Sequence, residues 1–275
     1  MRFEGKVAVI TGGARGQGRS HALALAREGA SIVLADVPSP MASVPYLLAT
    51  AGDLAETAAM IEDAGGRVVA VPTDVRKSSD VNAMFETAIE EFGKIDLLVA
   101  NAGIVSYSPL IDMNDETWSE LIDVNLTGVA WTIRAALPYM VDRSYGRIVV
   151  TASQAARRGM PNLSHYCSAK WGLLGLVKTV ALEMAPHLGI TCNAVLPGGV
   201  DTPMMRNDAV YRVFAPELED PRVEDLEERL RAFNPMPTAW IQPEDISHTV
   251  LYLLSEDARY VSGTAIDVAA AHNAT

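Results

Sequence analysis

Seven short apolar runs punctuate the chain at Val7–Ile10, Ser31–Ala35, Arg67–Val71, Ile95–Val99, Arg147–Thr151, Ile190–Leu196 and Thr264–Val268. Helical patterns separate most of them: Gln17–Arg27, Asp53–Ala64, Val81–Phe92, Thr117–Val141, Ser164–Met184 and Pro243–Leu254. A strand that is apolar on both faces must be covered on both faces, and helices alternating with such strands provide the cover. The pattern predicts an α/β fold with a parallel sheet between two helical layers. No internal repeat or low-complexity linker interrupts it, so residues 1–275 read as a single domain.

Two segments break the rhythm. Residues 37–52 are proline-rich and apolar and lie between the second strand and its helix, where about 2–6 residues are usual. Residues 197–242 are rich in Pro, Met and charge and carry one helical patch, Val223–Phe233. Loops that follow the carboxyl ends of strands are where such sheets bind ligands, and both segments are placed for that.

Composition excludes several classes of function. Of the 275 residues, 49% are hydrophobic and 20% charged, as expected of a globular chain. The net charge of −12 argues against a sequence-independent grip on nucleic acid or docking to anionic lipid. No apolar run reaches the ~20 residues of a membrane span. The start, Met1-Arg2-Phe3-Glu4-Gly5-Lys6, lacks the regions of a secretory signal. Cys167 and Cys192 suggest no disulfide framework, and five histidines show no metal spacing. A cytoplasmic protein without a metal is expected.

After the first strand comes Thr11-Gly12-Gly13-Ala14-Arg15-Gly16-Gln17-Gly18. Glycines let the backbone turn tightly and approach a pyrophosphate, and the helix N-terminus beyond favours negative charge. The loop follows a strand and opens a helix, the context a dinucleotide site needs. Asp36 ends the second strand, 24 residues beyond Gly12. A carboxylate there suits the ribose hydroxyls of NAD and repels the 2′-phosphate of NADP. Arg15 pulls the other way, since a basic residue in the loop can meet that phosphate. Asp74-Val75 and Asn101-Ala102-Gly103 are small polar turns after the third and fourth strands, either simple strand ends or cofactor lining.

Tyr166 and Lys170 lie four residues apart on a predicted helix, so they share a face. An ammonium beside a phenol favours the phenolate and is expected to lower the tyrosine pKa from about 10 toward the working pH. Ser153 ends the fifth strand, thirteen residues before Tyr166, where it could hold the oxygen with which the tyrosine exchanges a proton. A Tyr-x-x-x-Lys pair alone arises often by accident; its meaning comes from the company it keeps.

Together these segments resemble the short-chain dehydrogenase/reductase family along essentially the whole chain. The matching parts are Thr11–Gly18, Asp74, Asn101-Ala102-Gly103, Asn125, Ser153, Tyr166, Lys170 and Pro197-Gly198-Gly199-Val200-Asp201-Thr202. The resemblance implies a Rossmann-type, doubly wound sheet of about seven strands and a homotetramer. It implies that Ser153 binds the substrate oxygen and that Tyr166 transfers the proton. Lys170 would bind the nicotinamide ribose and tune Tyr166. Asn125 would kink its helix and hold a relay water, and Pro197, Gly198, Val200 and Thr202 would line the nicotinamide side. NAD would accept or donate hydride against a secondary alcohol or ketone. The insert, with Ala42-Ser43-Val44-Pro45-Tyr46, is similar to the mycofactocin-associated branch that includes carveol dehydrogenase-like enzymes of actinobacteria. That likeness implies a terpenoid-like substrate, captive NAD and an external redox carrier, mycofactocin. Pro38, Pro40 and Pro45 would stiffen the insert, and Val44, Tyr46, Leu47 and Leu48 would pack over the adenosine half. The chain departs from the family after Asp267, where Val268-Ala269-Ala270-Ala271-His272 lacks the usual glycine.

The substrate is less legible. Met160, Leu163, Met204, Met205, Tyr211 and Phe214 suit an apolar guest or ordinary packing equally. By spacing, His165 and Trp171 point away from the catalytic pair. Two other readings stand beside the alcohol dehydrogenase: an NADPH-dependent 3-ketoacyl reductase, and a non-catalytic dinucleotide-sensing protein. Asp36 and the insert count against the first, and the intact Ser153–Tyr166–Lys170 set against the second.

Overall fold

The computed structural model describes residues 1–37, 39–187 and 189–274. Pro38, expected to stiffen the insert, lies outside the described residues, as do Leu188 and Thr275. Seven strands, β1 (Val7–Thr11), β2 (Ser31–Asp36), β3 (Val68–Pro72), β4 (Leu97–Ala100), β5 (Gly146–Thr151), β6 (Ile190–Pro197) and β7 (Ala265–Val268), form one sheet. Every pairing is parallel, in the order β3-β2-β1-β4-β5-β6-β7. This is the doubly wound Rossmann-type sheet, and its order reverses between β1 and β4, which opens a crevice at the strands' carboxyl ends.

The expected apolar alternation is visible within β1. Val7 and Val9 join one buried cluster with Val81, Phe85, Val129 and Leu173. Ala8 and Ile10 join another with Leu25, Leu54 and Ile246. The first cluster is supplied by α3 (Ser78–Phe92), α4 (Asp115–Ile122), α5 (Gly128–Asp142) and α6 (Ser164–Met184). The second is supplied by α1 (Gly16–Arg27), α2 (Ala51–Asp63) and α9 (Pro243–Leu254). No helix among the described residues is long and apolar enough to cross a membrane.

Three boundaries differ from the sequence reading. The helix expected over 117–141 is interrupted by a π-helical turn, Asp123–Thr127, between α4 and α5. The extra residue in that turn directs the fully buried Asn125 at the backbone of Ile104: its amide donates to the Ile104 carbonyl and its oxygen accepts the Ile104 N–H, both at 2.8 Å. The insert is shorter than 37–52, because Ala51 and Gly52 already belong to α2. Thr50 Oγ accepts the Asp53 N–H and Asp53 accepts the Thr50 N–H, a capping box that sets the start. Within 197–242, α8 (Val223–Phe233) lies where expected, and a further short helix, α7 (Asp208–Phe214), precedes it.

The amino ends of the strands form the opposite pole of the sheet. There the Lys6 ammonium lies 3.6 Å from the Tyr145 ring centroid. Tyr145 donates to Glu256, which also pairs with the buried Arg147, and Asp96 pairs with Lys94.

Candidate active site

The carboxyl ends of β1, β4 and β5 are stitched together. Thr11 Oγ accepts the N–H groups of Asn101 and Ala102 at 3.1 and 3.2 Å. Asn101 donates to the carbonyls of Thr11 and Gly12, and its own amide oxygen accepts from the Thr151 hydroxyl at 3.1 Å. These bonds fix the glycine loop against the strand that carries Ser153. Gly12 has φ +65°, and a Cβ there would lie 2.8 Å from Ala102 Cα, so the loop needs glycine on both counts.

Above this floor lies a cavity of about 430 Å³, within the range of small-molecule sites. Its walls include Gly12, Arg15, Gly16, Gln17, Asp36 and Val75. Asn101, Ala102, Gly103, Pro197, Gly198, Val200 and Thr202 line it as well. Ser153, Tyr166 and Lys170 also face it, so the structure gathers residues that the sequence scatters over 190 positions.

Three expected site residues stand behind the walls. Gly18 is packed beneath the loop; a Cβ there would meet the Gly12 carbonyl oxygen at 1.9 Å. Asp74 turns away because Arg76 takes its carboxylate in a two-pronged pair at 2.8–3.1 Å. Arg76 also binds Glu120 of α4. Asn125 shapes the wall indirectly, through Ile104.

Asp36 aims its carboxylate by accepting the N–H groups of Ala14 and Val37 at 2.9 and 2.8 Å. Burial pushes its pKa up despite those bonds and the Arg15 charge. Arg15 itself donates to the Leu47 carbonyl of the insert.

Lys170 is fully buried and donates to the Thr151 carbonyl at 2.9 Å, while its Nζ lies 5.6 Å from the Tyr166 ring centroid. Burial lowers its pKa to about 8. The Tyr166 phenol moves opposite to expectation: its burial pushes the pKa up, and the neighbouring Ser153 hydroxyl draws it only partway back. Desolvation of the phenolate sets the direction, and the ammonium is turned toward Thr151. Ser153 Oγ accepts the Ala155 N–H at 3.1 Å, which leaves its own proton free to donate.

The insert reaches farther than the adenosine half. Ser43 donates through its N–H and hydroxyl to Glu120, at 3.1 and 2.5 Å. Val44 and Leu48, expected over the adenosine half, pack on the main core, and Leu47 is 87% exposed. Tyr46 accepts the Val105 N–H at 3.2 Å and packs with Tyr107, Met160, Leu163, Tyr166 and Met204. Met41, Tyr46 and Leu48 all face the cavity. Of the other residues weighed for an apolar guest, Met205 and Phe214 face it too, whereas Tyr211 packs around α8. His165 is held by Ser106, and Trp171 is about half exposed.

The short chain dehydrogenase family model matches residues 6–210. The (-)-trans-carveol dehydrogenase of Rhodococcus erythropolis is 44% identical over 269 residues, 97% of each chain. Among solved structures, carveol dehydrogenase from Mycobacterium avium in complex with NAD has a TM-score of 0.97 and 40% identity, covering 100% of this chain and 99% of that one. A short chain dehydrogenase from Mycobacterium paratuberculosis bound to NAD has a TM-score of 0.90 and 32% identity, covering 100% of both chains. With the parallel sheet, the glycine loop at its switch point and the Ser153, Tyr166 and Lys170 side chains in one cavity, these likenesses establish that the chain belongs to the short-chain dehydrogenase family.

Proposed function

We infer that the protein is an NAD-dependent dehydrogenase of a medium-sized, largely apolar secondary alcohol, terpenoid-like in the manner of carveol. The observation that carries this is the convergence of Ser153, Tyr166 and Lys170 on a cavity whose far end is a glycine cradle with a carboxylate beside it. The residues present fit a dinucleotide. Gly16 has φ +56°, and a Cβ on Gly12 would run into the chain around Ala102. Gln17, on the same wall, has a buried amide oxygen with no partner. The backbone N–H groups of the Gly12–Gly16 loop and of Gln17 would hold the pyrophosphate, and Asp36 the adenosine ribose. Val75 and Asn101–Gly103 would line the middle, and Pro197, Gly198, Val200 and Thr202 the nicotinamide side. Bound NAD supplies the hydride acceptor.

The chain's own residues supply position and proton. Ser153 donates to the substrate oxygen, and Tyr166 as phenolate takes the hydroxyl proton during oxidation. Lys170 steadies that phenolate and offers its remaining donors to the nicotinamide ribose. Asn125 holds Ile104, and through it part of the cavity wall. Replacing Tyr166 by Phe is expected to lower kcat by on the order of 10²-fold or more with NAD binding unchanged. Equal turnover in the variant would favour a dinucleotide sensor instead.

The NADPH-linked ketoacyl reductase is the weaker reading. Asp36 opposes a 2′-phosphate, and Arg15 is engaged with the insert. Captive NAD is supported by the insert's three ties, to Arg15, Glu120 and Val105. An enzyme that keeps its cofactor must hand electrons on in place, which suits an external carrier of the mycofactocin kind. The test is to purify the protein without added cofactor, dialyse it extensively and count nicotinamide released on denaturation. Close to one per chain supports captive NAD; close to none refutes it. The two free, buried cysteines suit a reduced cytoplasmic setting. Exposed Trp171 and Leu182 on α6 and Trp118 on α4 suit burial between subunits of a homotetramer built from one-domain protomers.

A further inference from the structure

The substrate end of the cavity is mostly apolar, with Val105, Met160, Leu163 and Met204 around Tyr166. Tyr46 and Gln154 are among the polar side chains there with hydrogen-bonding capacity that the protein does not use. Tyr46 accepts the Val105 N–H, and among the described residues its own O–H donates to no protein group. Gln154 follows Ser153 directly, faces the cavity, and has a buried amide oxygen with no partner. A buried donor or acceptor left unpaired is costly, and sites that bind a polar ligand group carry such capacity for it. Neither residue is needed for the proton transfer, which Ser153 and Tyr166 perform. We propose that Tyr46 and Gln154 form a second polar subsite, and that the substrate carries a second oxygen, such as a hydroxyl or carbonyl, apart from the reacting one. Tyr46 donates a hydrogen bond to that oxygen; where it is a hydroxyl, it donates a hydrogen bond in turn to the Gln154 amide oxygen. The insert then takes part in choosing the substrate as well as in covering the cofactor.

This deepens the alcohol dehydrogenase reading and is tested without turnover. Titration calorimetry on the NAD-loaded protein would compare cyclohexanone with hydroxycyclohexanones bearing the hydroxyl at C2, C3 or C4. At least one hydroxy ketone is expected to bind about 10-fold more tightly than cyclohexanone. Tyr46→Phe and Gln154→Met should each reduce that preference, and the double variant should abolish it, with cyclohexanone affinity unchanged as the sign of an intact cavity. If no hydroxy ketone binds better than cyclohexanone, or the preference survives in the double variant, the subsite is refuted. Should the double variant not fold, a preference unchanged in both single variants refutes it equally. Intact preference with no oxidation of any alcohol would instead sink the assigned reaction.

Discussion

A neutral lysine beside a phenol and an ammonium beside a phenolate contain the same number of protons, so a rate that needs the phenolate follows the loss of one proton from Tyr166 and Lys170 taken together. Burial brings Lys170 down to about 8 and pushes Tyr166 up, so the first proton to leave is the one on Lys170. Oxidation needs the pair one proton short, and reduction needs it whole. The kcat/KM for alcohol oxidation is therefore expected to rise with pH through about 8, and that for ketone reduction to fall over the same interval. Lys170→Met should carry the oxidation limb above the ordinary tyrosine range, because Tyr166 then faces its burial alone; pH–rate profiles in both directions check this. Asn125 works differently, through two backbone bonds to Ile104. Asn125→Ala leaves that buried N–H and carbonyl unpaired and should cost about 1–3 kcal/mol, seen as a fall in Tm by scanning calorimetry. The Tyr166–Lys170 spacing was legible in the sequence because four residues on a helix fix a shared face. The direction of the Tyr166 shift was not, because it depends on how deeply the fold buries the ring and on the Thr151 carbonyl that draws the ammonium aside.

The insert and α4 are tied through one carboxylate. Glu120 accepts two bonds from Ser43 with one oxygen and one from Arg76 with the other. If this tie holds the cover shut, Ser43→Ala should speed NAD release several-fold, and Glu120→Ala should speed it further by also freeing Arg76. Each loss of about 1.4 kcal/mol would appear as a factor of ten in the rate, read by competition with a fluorescent dinucleotide analogue. Unchanged release in both variants would mean that Arg15 and Val105 suffice. Ser43 and Glu120 are 77 residues apart, and nothing in local sequence announces such a pairing. The π-helical turn was hidden for a related reason. The apolar residues Leu121, Val124, Leu126 and Val129 continue through it, so periodicity reads as one helix. Helix α7 is short, and α2 began early because Thr50 and Asp53 cap it, a signal that the adjoining Gly52 masked. By contrast the strands were plain, since Ala8 and Val9 meet opposite apolar layers and both must be hydrophobic.

At the scale of the whole molecule, Trp118 and Trp171 lie exposed on neighbouring helices of one sheet face. Trp171 is 51% and Leu182 76% exposed on one helix. If α6 packs against a second copy, light scattering should give four times the 29.5 kDa chain mass, and Trp171→Glu should give a smaller species with less cooperative melting. A wild-type monomer would remove the tetramer. The fold separates its labour between two poles. The cavity opens at the carboxyl ends of the strands, while Lys6, Tyr145, Arg147 and Glu256 interlock at the amino ends and do not line it. For anyone wishing to anchor the enzyme to a solid support or fuse it to another protein, the amino-end pole is the handle: an attachment there leaves the mouth of the cavity facing outward, open to its alcohol.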